Sequence, residues 1–324
     1  MSVPKYFVIE NNDRIPRIGF GTWQCPSTEL EKTVSLALDA GYRHFDSAQV
    51  YENEAALGRA LNHWIAGDVQ KRKELFVVTK LAPSGNPPKL IDEYFEKSFK
   101  ALGLQYIDLY LMHTPFTFEH VPGDLHPKNP DGSMKVNLTT DIVSTWKAMQ
   151  KLKHSGQVRH LGVSNVNEEQ LMRLCEIAKP ACLQIEVHLL CQQRALIDAA
   201  NRLGVPVVAY SPLGSKALAD MLAAKTGREY PSLLEVPVVQ SIAATHNRTP
   251  AQILLRFLLQ HGVGAIPKST DPTRIKQNIS VWDFELNETE MKQLNSLDRG
   301  ETGRICDFSF FPGIEKHPEF PFKK

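Results

Sequence analysis

Short apolar runs rich in Val, Ile, Leu and Tyr recur along the chain, and each is followed by an amphipathic stretch long enough for a helix. The runs are Ile15 to Trp23, Tyr42 to Ala48, Leu75 to Leu81, Tyr106 to His113, Val158 to Asn165, Cys182 to Leu189, Pro206 to Gly214 and Val263 to Ser269. Near-continuous hydrophobicity is what a parallel strand covered on both faces requires, and the helical stretches supply the crossovers that parallel pairing needs. The runs repeat at roughly 33 residues per unit, the size of a βα repeat. Eight such units close naturally into a (β/α)8 barrel. The pattern therefore predicts an α/β chain with TIM-barrel architecture, a single domain over 1–324 in which 1–19 is an entry hairpin and 301–324 a tail.

Punctuation supports the reading. Ser27 and Thr28 stand where a cap for the first helix is expected, and Asp39-Ala40-Gly41 ends it on a glycine; Ala101-Leu102-Gly103 and Arg202-Leu203-Gly204 repeat that ending. Tyr6 to Glu10 and Asp13 to Gly19 flank Asn11-Asn12, which predicts a hairpin outside the eight strands, placed to plug the barrel's bottom. Two connections break the rhythm, Thr114 to Thr139 after strand four and Ser215 to Leu234 after strand seven. Long connections of this kind form lids or binding surfaces. The aromatic tail from Glu301 to Lys324 has no helical period, so it either packs on the barrel wall or walls a pocket.

Composition narrows the function. Lys plus Arg number 37 against 36 Asp plus Glu, a formal charge of +1, which offers no footprint for nucleic acid or an anionic membrane. No stretch is apolar enough to span a membrane, and the N-terminus lacks a signal-peptide core, so a cytoplasmic protein is expected. The 5 cysteines form no C-x-x-C pair, which argues against a disulfide framework and a thiolate metal site. A monomer is expected.

Polar residues that close a barrel strand sit at its catalytic face. Asp46 closes the second run, Tyr51 follows it into the loop, Lys80 closes the third and His113 the fourth. Singly, each has an ordinary explanation as a solvated, packing or structural residue. Together they form a unit: an ammonium favours the phenolate and lowers a tyrosine's pKa from about 10, Asp46 holds Lys80 charged, and His113 orients a substrate oxygen. The set suits moving a proton to or from oxygen.

Five segments then carry a more specific likeness: Gly41-Tyr42-Arg43-His44-Phe45-Asp46-Ser47-Ala48, Tyr51-Glu52-Asn53-Glu54, Gly162-Val163-Ser164-Asn165, Tyr210-Ser211-Pro212-Leu213-Gly214 and Ile266-Pro267-Lys268-Ser269. In this the chain resembles the aldo-keto reductases from Gly19 to the Pro321 region of the tail. The resemblance implies reversible hydride transfer between NADP(H) and a carbonyl, with Tyr51 as proton donor, Lys80 and Asp46 tuning it, and His113 positioning the carbonyl. By the same resemblance Thr22, Trp23 and Asp46 border the cofactor, Ser164, Asn165 and Gln184 hold its carboxamide, Tyr210 stacks on the nicotinamide, and Ser211, Leu213 and Ser215 line the pyrophosphate. Lys268, Ser269, Thr270 and Arg274 place cations and hydroxyls before a helix, suited to a 2′-phosphate, and Gln277 and Asn278 match adenine contacts. No Gly-x-Gly-x-x-Gly precedes a crossover, which disfavours a doubly wound dinucleotide domain.

Where many relatives carry tryptophan, this chain has Ala82 and Thr114. The pocket is expected to be wider, lined by Trp23, Val50, Tyr51, His113, Thr114, Phe116, Phe118 and Phe308, and to take a small-molecule aldehyde or ketone, including a bulky apolar or steroid-like one. Two rivals remain at this point: a catalytically weak NADPH-binding structural or regulatory protein, and a Schiff-base lyase or isomerase that uses Lys80 as the amine.

Overall fold

The computed structural model describes residues 3–227 and 229–322. A short antiparallel hairpin, β1 (Tyr6–Val8) and β2 (Arg14–Pro16), precedes the first barrel strand β3 (Phe20–Gly21). The chain continues through α1 (Ser27–Asp39), β4 (His44–Asp46), α2 (Glu54–Ile65), α3 (Val69–Glu74), β5 (Phe76–Leu81), α4 (Ile91–Leu102), β6 (Ile107–Met112), α5 (Ile142–Met149) and β7 (Val158–Ser164). There follow α6 (Glu168–Cys175), β8 (Leu183–Glu186), α7 (Arg194–Arg202), β9 (Val207–Tyr210), α8 (Lys216–Thr226), α9 (Pro237–His246), α10 (Pro250–Gln260), β10 (Gly264–Ala265), α11 (Pro272–Ile279) and α12 (Glu288–Asn295).

Strands β3 to β10 pair in sequence order as an 8-stranded parallel sheet. The ring closes where Ile18 bridges Ala265 in parallel, with Gly19 N–H donating to Ala265 O at 2.9 Å and Ala265 N–H to Arg17 O at 2.6 Å. Each apolar run of the sequence holds one barrel strand, as expected. The run Ile15 to Trp23 is shared: its first residues belong to the hairpin and the rest to β3.

The hairpin plugs the barrel floor. Phe7 and Ile15 pack with the inward side chains Phe76, Val78, Leu109, Leu111, Cys182, Val208 and Ile266. A larger cluster fills the layer between strands and helices, with Trp146, Tyr42, Phe45 and Phe95 fully buried in it. A third cluster lies over the opposite end and joins the connection after β6, helix α8 and the tail.

Two expectations about local structure change. The first helix takes no side-chain cap from Ser27 or Thr28; it starts at Ser27 behind Pro26, whose carbonyl accepts from Glu29 and Leu30 N–H. The connection after β9 is not open loop throughout, because Lys216–Thr226 winds into α8, where Leu218, Ala219 and Leu222 face the mouth cluster. Helix ends behave as read, with left-handed φ at Gly41, Gly103 and Gly204. Gly58 has a different constraint. A Cβ there would overlap the backbone carbonyl of Leu102, so α2 and α4 touch backbone to backbone only because the residue is glycine. Gly58→Ala should destabilise the protein by about 1–3 kcal/mol despite alanine's better helix propensity, measurable as a lower urea midpoint at unchanged slope.

Candidate active site

Inward positions of the strands alternate, so each strand runs from apolar at the floor to polar at its C-terminal end. On β5 the inward series is Phe76, Val78, Lys80; on β6 and just beyond it is Leu109, Leu111, His113; on β8 it is Gln184 and Glu186. The polar members gather at one end of the barrel.

Lys80 is the centre of that group. It is fully buried, and its Nζ donates to Asp46 Oδ1 at 2.6 Å, Ser47 O at 2.8 Å and Tyr51 Oη at 3.3 Å. Three acceptors match the three protons of an ammonium. Burial works against its charge, but the Asp46 carboxylate and the Tyr51 phenol overcome that and carry the Lys80 pKa above its ordinary value. An amine kept this firmly protonated is no Schiff-base nucleophile.

The second oxygen of Asp46 accepts from Gln184 Nε2 at 2.6 Å, and Thr22 Oγ1 donates to Asp46 O at 2.9 Å. Below Asp46 lies His44, buried and bonded through Nδ1 to Pro16 O at 2.8 Å; Gly19 leaves the space its ring occupies.

Tyr51 stands half-buried at the open end. Its pKa is raised: burial pushes it up, and the neighbouring Lys80 charge pulls it back only in part. This corrects the expectation of a lowered tyrosine, because desolvation of the phenolate outweighs the ammonium. The phenol is therefore protonated at neutral pH, and its phenolate has a cation waiting. His113 meets the Tyr51 ring edge-on, centroids 5.8 Å apart at 79°. Its pKa lies well below the ordinary value through burial first and then the Lys80 and His126 charges, so the imidazole is neutral. Its Nδ1 is buried without a hydrogen-bond partner among the described residues, whereas its backbone carbonyl accepts from Asn165 Nδ2 at 2.9 Å.

Around this tetrad the other residues singled out in the sequence fall into two groups. Ser164 Oγ donates to Gln184 O at 2.8 Å, and Tyr210 Oη donates to Asn165 Oδ1 at 2.7 Å, so Ser164, Asn165, Gln184 and Tyr210 form one bonded set beside His113. Ser211, Leu213 and Ser215 lie on the turn after β9, where Ser211 and Ser215 take left-handed φ of 50° and 35°. Further round, Ser269 Oγ accepts from Asp271 N–H at 3.1 Å, and Asp271 caps α11. Lys268 and Arg274 are exposed there, Gln277 is half-buried and Asn278 is buried.

The pocket residues separate differently. Trp23, Val50, Tyr51 and His113 are half-buried at the opening. Phe116 and Phe118 are fully buried and Phe308 is nearly so, because they pack on one another and on the tail: Phe116 meets Phe308 edge-on at 4.9 Å, and Phe118 meets Phe311 at 5.2 Å. The tail is thus a packing partner of the connection after β6. Thr114 turns its hydroxyl to Phe116 O at 2.9 Å and is buried.

Two residues were not singled out in the sequence. Glu186, fully buried at the end of β8, accepts from Ile305 N–H at 2.7 Å, Cys306 N–H at 2.8 Å and His188 Nε2 at 2.9 Å. It fastens the tail to the barrel, and the period-two step from Gln184 was its one signal. The other, His126, lies in the connection after β6.

A parallel eight-stranded barrel with a buried lysine shared between a carboxylate and a protonated tyrosine is the arrangement of an enzyme that exchanges protons with a substrate oxygen. The comparisons with known proteins are specific. A family model described as the aldo/keto reductase family matches residues 17–299, and the chain belongs to that family. The protein called aldo-keto reductase family 1 member A1 from Gallus gallus is 40% identical, with 98% of this chain and 97% of that one aligned. Its namesake from Mus musculus is 39% identical, with 97% of each chain aligned. Among solved structures, the aldose reductase from Schistosoma japonicum superposes with a TM-score of 0.88 at 37% identity, covering 99% of both chains. The protein is thus an oxidoreductase acting on carbonyl groups.

Proposed function

We propose that the enzyme reduces an aldehyde or ketone to an alcohol with NADPH, Tyr51 giving the proton. The observation that supports this above all is the Lys80 ammonium, 2.6 Å from Asp46 and 3.3 Å from a phenol that burial keeps protonated. The neutral His113, beside that phenol, is suited to hydrogen-bond the same carbonyl oxygen and hold it for protonation. As Tyr51 loses its proton, Lys80 and, through it, Asp46 stabilise the phenolate without reorganising.

The residues present suit NADP(H). Arg274 is 69% exposed, with its nearest carboxylate 3.9 Å away on Asp271, and Lys268 has no ion-pair partner among the described residues. Two such cations beside the Ser269 and Thr270 hydroxyls fit a phosphate dianion. Tyr210, tied at its hydroxyl to Asn165, offers a fixed ring face for stacking, and Ser164, Asn165 and Gln184 offer amide and hydroxyl groups to a carboxamide. When bound, the cofactor supplies the hydride. Thr22, Trp23, Ser211, Leu213 and Ser215 would border it, and Gln277 and Asn278 would face its base. The aromatic mouth favours an apolar substrate body.

Carbonyl-dependent oxidation of NADPH, followed across a panel of sugars, aromatic aldehydes, quinones and polycyclic ketones, tests the reading; a chain that oxidises NADPH with none of them refutes it. Lys268→Ala and Arg274→Ala should each raise the KM for NADPH by about tenfold or more and leave the KM for NADH within about twofold, since a charge-assisted hydrogen bond contributes roughly 1.5–3 kcal/mol. Equal effects on both cofactors would refute the phosphate assignment.

A further inference from the structure

The mouth of the barrel combines phenylalanine and other rings with aliphatic side chains of α8 and the tail. Phe116, Phe118, Phe308, Phe310, Phe311 and Trp23 belong to one cluster that closes over the tetrad. A single imidazole interrupts it. His126 stacks on Phe311, centroids 5.6 Å apart at 26°, and tilts against Phe118 at 6.4 Å. Its backbone is fixed as well, because its N–H donates to Asp124 Oδ1 at 2.8 Å. Phe311 therefore covers one face of the ring and Phe118 packs on the same side, yet neither ring nitrogen has a hydrogen-bond partner among the described residues. The ring is half-buried, so its polar edge is not enclosed.

Location gives that edge a meaning. A charge on His126 would bear on His113, and Glu52, the residue next to Tyr51, bears on His126. It lies over the same opening as the pair that would hold the reacting oxygen. Burial lowers its pKa, Lys128 adds to that, and Glu52 and Asp124 oppose it, so at neutral pH it is an uncharged ring with one donor and one acceptor. A neutral group of this kind does not select carboxylates; it selects hydroxyls and carbonyls.

The geometry points to His126 as a specificity-determining residue that hydrogen-bonds a second oxygen on the substrate, at the end of its apolar body away from the reacting carbonyl. The substrate class is then a hydroxylated or dicarbonyl apolar aldehyde or ketone, with a flat body that lies against the phenylalanine rings. Placing a polar edge among rings leaves it unpaired with any wholly apolar substrate, and an unmet hydrogen bond in such a site discriminates more sharply than a missing methylene does. The inference rests on the carbonyl-reductase reading above.

Two matched pairs of probes separate the inference from that reading: para-methylbenzaldehyde against para-(hydroxymethyl)benzaldehyde, and the biphenyl pair one ring longer. Within a pair the aldehyde keeps nearly the same reactivity and only the far oxygen differs. Wild-type enzyme should prefer the hydroxylated member of at least one pair by about tenfold in kcat/KM, chiefly through KM. His126→Phe should bring that ratio close to one while the unhydroxylated aldehyde changes by less than about threefold, and His126→Gln, which keeps a donor and an acceptor, should restore part of the preference. A ratio unchanged in His126→Phe, or equal losses on both members of a pair, overturns the assignment while reduction itself stands. Wild-type enzyme that binds NADPH but reduces none of the four probes overturns the carbonyl-reductase reading and this inference with it.

Discussion

Tyr51→Phe is expected to lower kcat for carbonyl reduction by about a thousandfold, within the range that a positioned general acid contributes. The substitution removes one oxygen and leaves the ring that packs edge-on against His113. Lys80 keeps its bonds to Asp46 and Ser47 O, so the local fold should hold. Cofactor affinity, read from quenching of NADPH fluorescence, should stay within about twofold, because the Tyr51 hydroxyl is not among the groups proposed to hold the cofactor. Activity near that of wild type would remove Tyr51 from the acid's role. The pH profile offers an independent check. An acid must be protonated to act, and burial raises the Tyr51 pKa, so reduction should decline only as pH rises into the alkaline range. The neutral His113 should contribute no loss between pH 6 and 8, roughly the window in which an unperturbed histidine titrates.

Arg72→Met should produce the largest loss of stability, about 3–5 kcal/mol, by leaving the buried Asp108 carboxylate with only the Val77 N–H and the Arg159 guanidinium 3.9 Å away. Arg72 is 2% exposed at the end of α3; its Nη2 donates to Asp108 Oδ2 at 2.8 Å and Tyr106 O at 2.6 Å, its Nη1 to Leu75 O at 3.2 Å, and its plane lies 3.7 Å from the Tyr106 ring centroid. Asp108 also accepts from Val77 N–H at 3.0 Å and ties β5 to β6 from the outer face of the sheet. Burial raises the Asp108 pKa even with Arg72 present. The sign of the pH effect follows: a carboxyl whose folded pKa exceeds its unfolded one binds more protons when folded, so its contribution to stability falls as pH rises through that interval. Losing Arg72 widens the interval. The deficit of Arg72→Met should therefore be larger at pH 7 than at pH 4.5 in urea titrations, and adding Asp108→Leu should recover much of it. A deficit independent of pH would show that lost packing, rather than the stranded carboxylate, sets the loss.

The barrel was legible in the sequence because each strand is buried on both faces and so writes itself as an apolar run. The tetrad was legible because period two carries the inward face of β5 and β6 from Val78 and Leu111 to Lys80 and His113. What the sequence concealed depends on distance in three dimensions. The fate of Tyr51's proton turns on how far desolvation outweighs Lys80, a balance of burial that no spacing records. Glu186 reads as one more residue in a strand until the tail, 119 residues on, brings Ile305 N–H to its carboxylate. His126 sits in a Pro- and Gly-containing connection whose path follows from packing against the tail. The missing cap at Ser27 has a similar cause: Pro26 starts the helix with its carbonyl, so the hydroxyls are not needed.

Tyr210 packs both with the rings of the mouth and with the side chains that fill the barrel. Elsewhere these two bodies are made from different residues: the hairpin and the barrel strands with their flanks for one, the connections after β3, β6 and β9 and the tail for the other. The molecule is therefore modular in its tolerance of change. Substitutions among the mouth phenylalanines leave the packing of the barrel interior in place, and that independence ends at Tyr210, where a change must satisfy both clusters.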